Sequence, residues 1–141
     1  MVGSGDYRAA LEEEAEKLGI RDSVEFLGWR DDVLMIIASS DMIVHPSLED
    51  ALSQSLIESL MLERPIVATD ISGAGDTLGD GKFGRLVRPA DANDLCIAIE
   101  ETIANFEESK ERAVAGRKYL LDYMAAEKAC VEYEKIYERV A

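Results

Sequence analysis

Two acids at a fixed interval between two short apolar runs constrain this chain more than any other feature. Asp50 and Glu58, separated by seven residues, lie in Pro46-Ser47-Leu48-Glu49-Asp50-Ala51-Leu52-Ser53-Gln54-Ser55-Leu56-Ile57-Glu58, and Arg64-Pro65-Ile66-Val67-Ala68-Thr69-Asp70 comes soon after. The run from Asp41 to His45 reads as a short buried strand ended by Pro46 and Ser47. Leu56, Ile57, Leu60 and Met61 then recur at helical spacing before a second strand begins at Pro65. Asp50 is therefore expected in a loop and Glu58 on the helix that follows. In an open α/β sheet, loops leaving the carboxyl ends of the strands line the ligand crevice. The next helix then offers free backbone N–H groups and a positive dipole end to an anion.

The same alternation extends along the chain. Met1 and Val2 read as the stub of a strand, Tyr7 to Leu18 as a helix with Leu11, Ala15 and Leu18 on one face, and Val24 to Leu27 as a strand. Asp31 or Asp32 can cap a helix through Ser39 whose buried face is Val33, Ile36 and Ile37. Arg85 to Arg88 is a strand stopped by Pro89, and Asp91 caps a helix that repeats Leu95, Ala98, Ile99 and Thr102. Lys110 to Met124 and Ala125 to Val140 read as terminal helices. The last carries Ala129, Tyr133, Ile136, Tyr137 and Val140 as an apolar stripe expected to pack. Strands and helices in turn, joined by short turns, point to an α/β fold: a parallel sheet with helices on both faces.

At 141 residues, 48% of them apolar, the chain is about one domain long and large enough to bury a core. No run is uniform enough to span a bilayer, and no basic segment followed by an apolar one marks export, so a cytoplasmic location is expected. A formal charge of −14 argues against nucleic acid as a partner, because that affinity rests on Lys and Arg displacing counterions. Glu12 to Glu14 and Glu107-Glu108 read as solvated faces. An acidic protein that binds an anion needs local positive potential from helix N-termini and a few basic side chains. Cys96 and Cys130 fall in helices without CxxC spacing and are expected to be buried free thiols. With one histidine, His45, a zinc site is not expected, and His45 takes a structural role at a strand end.

On these residues the chain resembles the donor-binding C-terminal half of a GT-B glycosyltransferase of the retaining group called family 4, whose mark is two acids separated by seven residues. That group reads Pro-Ser-x-x-Glu-Gly-Phe-Gly, then Glu-Ala-Met-Ala, then Pro-Val-Val-Ala-Thr. This chain shares Pro46-Ser47, Glu58, Leu60-Met61, Pro65 and Val67-Ala68-Thr69. Asp50 stands for the first Glu, and Ala51, Leu52 and Ser53 stand for Gly-Phe-Gly. Gly3 to Asp6 resembles the group's glycine turn, and Val24 to Trp29 its next strand and base-contacting loop. Asp70 to Gly84 resembles its Gly-Gly-x-Pro-Glu loop and following turn. The resemblance implies a Rossmann-like α/β domain that lacks the first strand and helix. It also implies a nucleoside diphosphate sugar as donor, with no cofactor and no metal.

The resemblance assigns roles residue by residue. Glu58 would accept two hydrogen bonds from vicinal ribose hydroxyls, a geometry that suits a carboxylate. Asp50 would meet a sugar hydroxyl and favour positive charge at the anomeric carbon, or else cap the next helix. The N–H groups of Leu52, Ser53 and Gln54 would hold phosphate oxygens, with Ser53 an alternative cap. Gly28 and Trp29 would frame the base, although the indole could equally be core or a domain-interface plug. Gly3 and Gly5 form a turn near the donor or a turn only. Asp76 lies near the sugar or caps a turn.

Members of this group begin the domain with a further strand and helix, which carry an Arg and a Lys for the diphosphate, and they have an N-terminal acceptor domain of similar size. The expectation is therefore an N-terminally truncated single domain, 1–141, inactive alone. Its partners would be the sugar nucleotide and the missing domain, through which any peripheral membrane contact would run. The alternatives are a non-catalytic nucleotide-sugar-binding or interaction module, and a sugar-nucleotide epimerase fragment. An acidic receiver domain is excluded, because the chain lacks the ordered acids and lysine that such a domain needs.

Overall fold

A computed structural model describes residues 1–140, apart from the side chains of Glu127, Ala129 and Glu132. The chain forms two compact units, one over Met1–Ile36 and the other from Ile37 onward.

In the first unit, helix α1 (Arg8–Lys17) buries Ala15, while Leu11 and Leu18 remain exposed. A 3-10 turn over Arg21–Ser23 follows. The strand expected over Val24 to Leu27 reduces to a single parallel bridge between Val2 and Gly28. Leu27 N–H donates to Met1 O at 2.9 Å and Gly3 N–H to Gly28 O at 2.8 Å, and the pairing ends where Gly3 turns at a φ of +125°. Gly28 also needs its glycine, with a φ of +68°.

Helix α2 (Val33–Ser39) begins after Asp32, whose carbonyl accepts from Met35 N–H and Ile36 N–H. Neither acid uses its carboxylate as a cap. Arg30 holds Asp32 in a fork at 2.7 and 2.6 Å, and Asp31 accepts from Trp29 Nε1 at 3.3 Å.

The second unit holds a parallel sheet of β1 (Ile43–His45), β2 (Ile66–Thr69) and β3 (Arg85–Val87), in that spatial order. Val44 pairs with Val67, and Ala68 with Leu86. Successive strand residues point to opposite faces. Ile66 and Ala68 therefore join Leu56, Ile57 and Leu60 of α3 (Gln54–Met61) on one face. That cluster is completed by Ala74 and Leu78 of α4 (Ser72–Leu78) and by Ala113 and Leu120 of α6 (Phe106–Tyr123). Val67 and Val87 face the other way, against Ala98, Leu95 and Ile99 of α5 (Ala92–Ala104). Helices thus cover both faces.

Four expectations are corrected here. The segment read as a loop around Gly73 and Gly75 is helix α4, because Gly73, Ala74, Thr77 and Leu78 are buried against the core. The helix expected from Lys110 begins at Phe106, directly after Asn105. In α7 (Ala126–Val140), Tyr133, Ile136, Tyr137 and Val140 are exposed rather than packed, while Ala129 lies outside the described side chains. Cys96 and Cys130 are free but exposed, Cys96 because α5 turns Ala98 and Thr102 inward instead.

Candidate functional site

All three parallel strands end at one edge, at His45, Thr69 and Val87, and the loop and helices that follow β1 and β2 from that edge carry Asp50, Glu58 and Asp76. The β1–α3 loop is fixed at both ends. Thr69 Oγ1 donates to Ser47 O and, at 3.4 Å, to His45 O, which ties the loop's start to the neighbouring strand. Further on, Gly73 brings its backbone against Ala51. A Cβ at Gly73 would lie 2.2 Å from the Ala51 carbonyl oxygen, so only glycine permits this approach.

Within that loop a polar cluster forms around His45. Its Nε2 lies 3.0 Å from Ser53 Oγ, 3.5 Å from Ser47 Oγ and 3.6 Å from Asp50 Oδ2. Asp50 is half-buried and does not cap α3, because Ser53 occupies the cap position. Ser53 is 3% exposed, yet its hydroxyl makes no cap bond and lies 3.0 Å from Ser55 Oγ. The helix starts at Gln54, so the first-turn N–H groups without an intrahelical acceptor are those of Gln54, Ser55 and Leu56. The expected trio was Leu52, Ser53 and Gln54. Leu52 instead precedes the helix and is exposed.

Glu58 stands one turn further along α3, half-buried, with no hydrogen bond or ion pair to its carboxylate among the described residues. Asp76 is exposed on α4. The remaining expected residues belong to the first unit. Gly3, Gly5 and Gly28 line an open cleft of about 240 Å³ with Tyr7 and Arg8. Trp29 is 77% exposed, which corrects the core alternative for its indole. The structure thus joins Asp50 to Ser53 through His45, a residue that sequence reasoning left as structural. The available signal was its position two residues after Ile43, on the strand face that α3 covers.

No group of three or more His, Cys, Asp or Glu residues among those described could hold a metal ion. No described helix is long and apolar enough to cross a membrane.

A parallel sheet covered on both faces, with its acid-bearing loops at the carboxyl edge, defines a Rossmann-like domain of the kind that forms the C-terminal half of GT-B glycosyltransferases. The chain belongs to the family of glycosyl transferases group 1, which matches residues 1–105. It is 30% identical over 127 residues to the lipopolysaccharide core biosynthesis glycosyltransferase LpsE of Rhizobium meliloti (strain 1021), covering 90% of this chain and 37% of LpsE. It is 25% identical over 142 aligned residues to the 2-deoxystreptamine glucosyltransferase of Streptomyces kanamyceticus, covering 96% of this chain and 37% of that enzyme. Among solved structures, HepE of Anabaena in complex with UDP superposes with a TM-score of 0.80 at 24% identity, over 86% of this chain and 35% of HepE. That likeness is one of fold. The chain spans little more than a third of the length of these relatives.

Proposed function

We propose that this chain is the donor-binding part of a retaining glycosyltransferase that transfers a hexose from a nucleoside diphosphate sugar without a metal ion. The acceptor would be held by a part of the enzyme outside residues 1–141. The observation that carries this reading is Glu58, a half-buried carboxylate without a described partner on α3, beside the N–H groups that open the same helix. A carboxylate so placed suits a ribose diol, and oriented N–H dipoles suit the diphosphate whose charge grows as the leaving group departs. In the second unit, Asp50 would then meet the sugar, with Asp76 the further acid proposed for it; in the first unit, taken by itself, Gly28 and Trp29 with the Gly3 and Gly5 turn are the residues proposed for the base. HepE, which shares the fold, is held with UDP, and the Streptomyces kanamyceticus relative is named for glucosyl transfer; the first supports a uridine nucleotide and the second a hexose.

The test is a ligand-observed NMR titration of the chain with UDP, GDP and their glucose and mannose conjugates, run with and without EDTA. UDP is expected to bind saturably and independently of EDTA. Glu58→Ala should weaken it by at least about tenfold, the loss that a charge-assisted hydrogen-bond pair implies. Binding that Glu58→Ala leaves intact would sink this reading. The second reading, a non-catalytic module, is favoured by the engagement of Asp50 with His45, which occupies the acid expected to face the sugar. It predicts nucleotide binding in which the sugar conjugates gain nothing over UDP or GDP.

A further inference from the structure

We infer that His45 is a positioning residue that holds the Ser53 hydroxyl away from the first turn of α3 and so leaves the N–H groups there open to an anionic ligand. The inference rests on the donor-site reading above. A serine at a helix N-cap with extended backbone normally accepts a hydrogen bond from the second or third N–H of the helix. Ser53 has that backbone, with φ −76° and ψ 108°, and the N–H groups in question belong to Ser55 and Leu56. Its hydroxyl makes no such bond. It is turned instead toward His45 Nε2 and Ser55 Oγ, each 3.0 Å away.

The ring of His45 has one arrangement that suits its surroundings. Nδ1 is buried without a hydrogen-bond partner among the described residues, whereas Nε2 faces two hydroxyls and the Asp50 carboxylate. A proton on Nε2 has acceptors in front of it. A proton on Nδ1 would be a buried donor with none, and would set the bare Nε2 lone pair against Asp50. The Nε2–H tautomer therefore donates to Ser53 Oγ and fixes its rotamer. Ser53 is buried, so the hydroxyl cannot turn to bulk water instead. Where the resembled family has glycine there is no hydroxyl to restrain. The pairing of His45 with Ser53 is how this chain carries a serine at that position and still presents an uncapped helix start.

The experiment uses the chain with uniform 15N labelling. His45 is the single histidine, so its ring nitrogens are identified without assignment. A protonated Nε2 and an unprotonated Nδ1 are expected, and the opposite tautomer in the wild-type chain would overturn the inference. Amide hydrogen exchange then reads the helix start without any nucleotide. Ser55 and Leu56 should exchange freely in the wild-type chain, one of them should become protected in His45→Ala as Ser53 caps the helix, and protection should vanish in His45→Ala/Ser53→Ala. UDP affinity should fall about fivefold in His45→Ala, the factor matching an ordinary cap bond, and recover in the double variant. A purely structural role gives a double variant no better than the single one, and that result overturns the inference. If UDP fails to bind even the wild-type chain, the donor reading falls, while the tautomer and the exchange rates still decide the role of His45.

Discussion

Gly73 and Gly116 are both close-packed glycines, but an added methyl group would meet different neighbours. At Gly73 a Cβ would lie 2.2 Å from the Ala51 carbonyl oxygen and 2.6 Å from its carbon, both backbone atoms of the β1–α3 loop. At Gly116 it would lie 2.6 Å from Leu60 Cδ1 and 2.8 Å from Phe83 Cβ, inside the core cluster. Overpacking of this kind costs about 1–3 kcal/mol. Gly73→Ala and Gly116→Ala should each lower the urea midpoint accordingly, but only Gly73→Ala should also weaken UDP binding, because only there must the loop carrying Asp50 move. Asp50 and Glu58 were legible in sequence because the spacing between two acids survives folding unchanged. The meeting of His45 with Ser53 was not, because seven residues of irregular loop separate them and its path is set by contacts with Thr69 and Gly73.

Elements whose ends carry their own chemistry were read well. The start of α5 is the clearest case: Asp91 accepts from Asp94 N–H at 2.9 Å, and Asp94 accepts from the Arg88 backbone N–H at 2.9 Å. That backbone hydrogen bond holds the Asp94 carboxyl below the ordinary aspartate range against the opposing effect of burial, with the Arg88 guanidinium adding to the depression. A carboxyl whose pKa is depressed by folding contributes stability that is complete above its unfolded pKa and is lost as pH falls through the folded one. The gap in urea midpoint between the wild-type chain and Asp94→Asn should therefore be steady from about pH 7 to pH 5 and should close below about pH 4. The elements misread were those decided by neighbours. Two glycines made α4 read as a loop, and burial made it a helix. At the other extreme, every described side chain of α7 is exposed. Ending the chain at Ala125 should remove helical ellipticity at 222 nm yet shift the unfolding free energy by under about 1 kcal/mol, as expected for a segment with little buried area.

For the molecule as a whole, ligand binding and folding are linked, since a ligand that binds only the native state stabilises it. UDP at about 100 times its dissociation constant should add about 2.7 kcal/mol to the unfolding free energy. In differential scanning calorimetry that appears as a rise of several degrees, cut to about half in Glu58→Ala at the same UDP concentration for a tenfold loss of affinity. The charge of −14 does not oppose this, because the expected contacts are local N–H dipoles at one helix start.

By itself the sequence determined the strand–helix–strand order of β1, α3 and β2, the Asp91 cap and the two acids on the loop and helix after β1. Those features depend on spacing along the chain, and periodicity records which side of an element is apolar. Tertiary structure alone decided that Ile66 and Ala68 face α3 while Val67 faces α5, that Cys96 and Tyr133 are exposed, and that His45 rather than α3 takes the Ser53 hydroxyl. Each of these depends on which distant segment covers a given face, and that is set by the path of the loops through space.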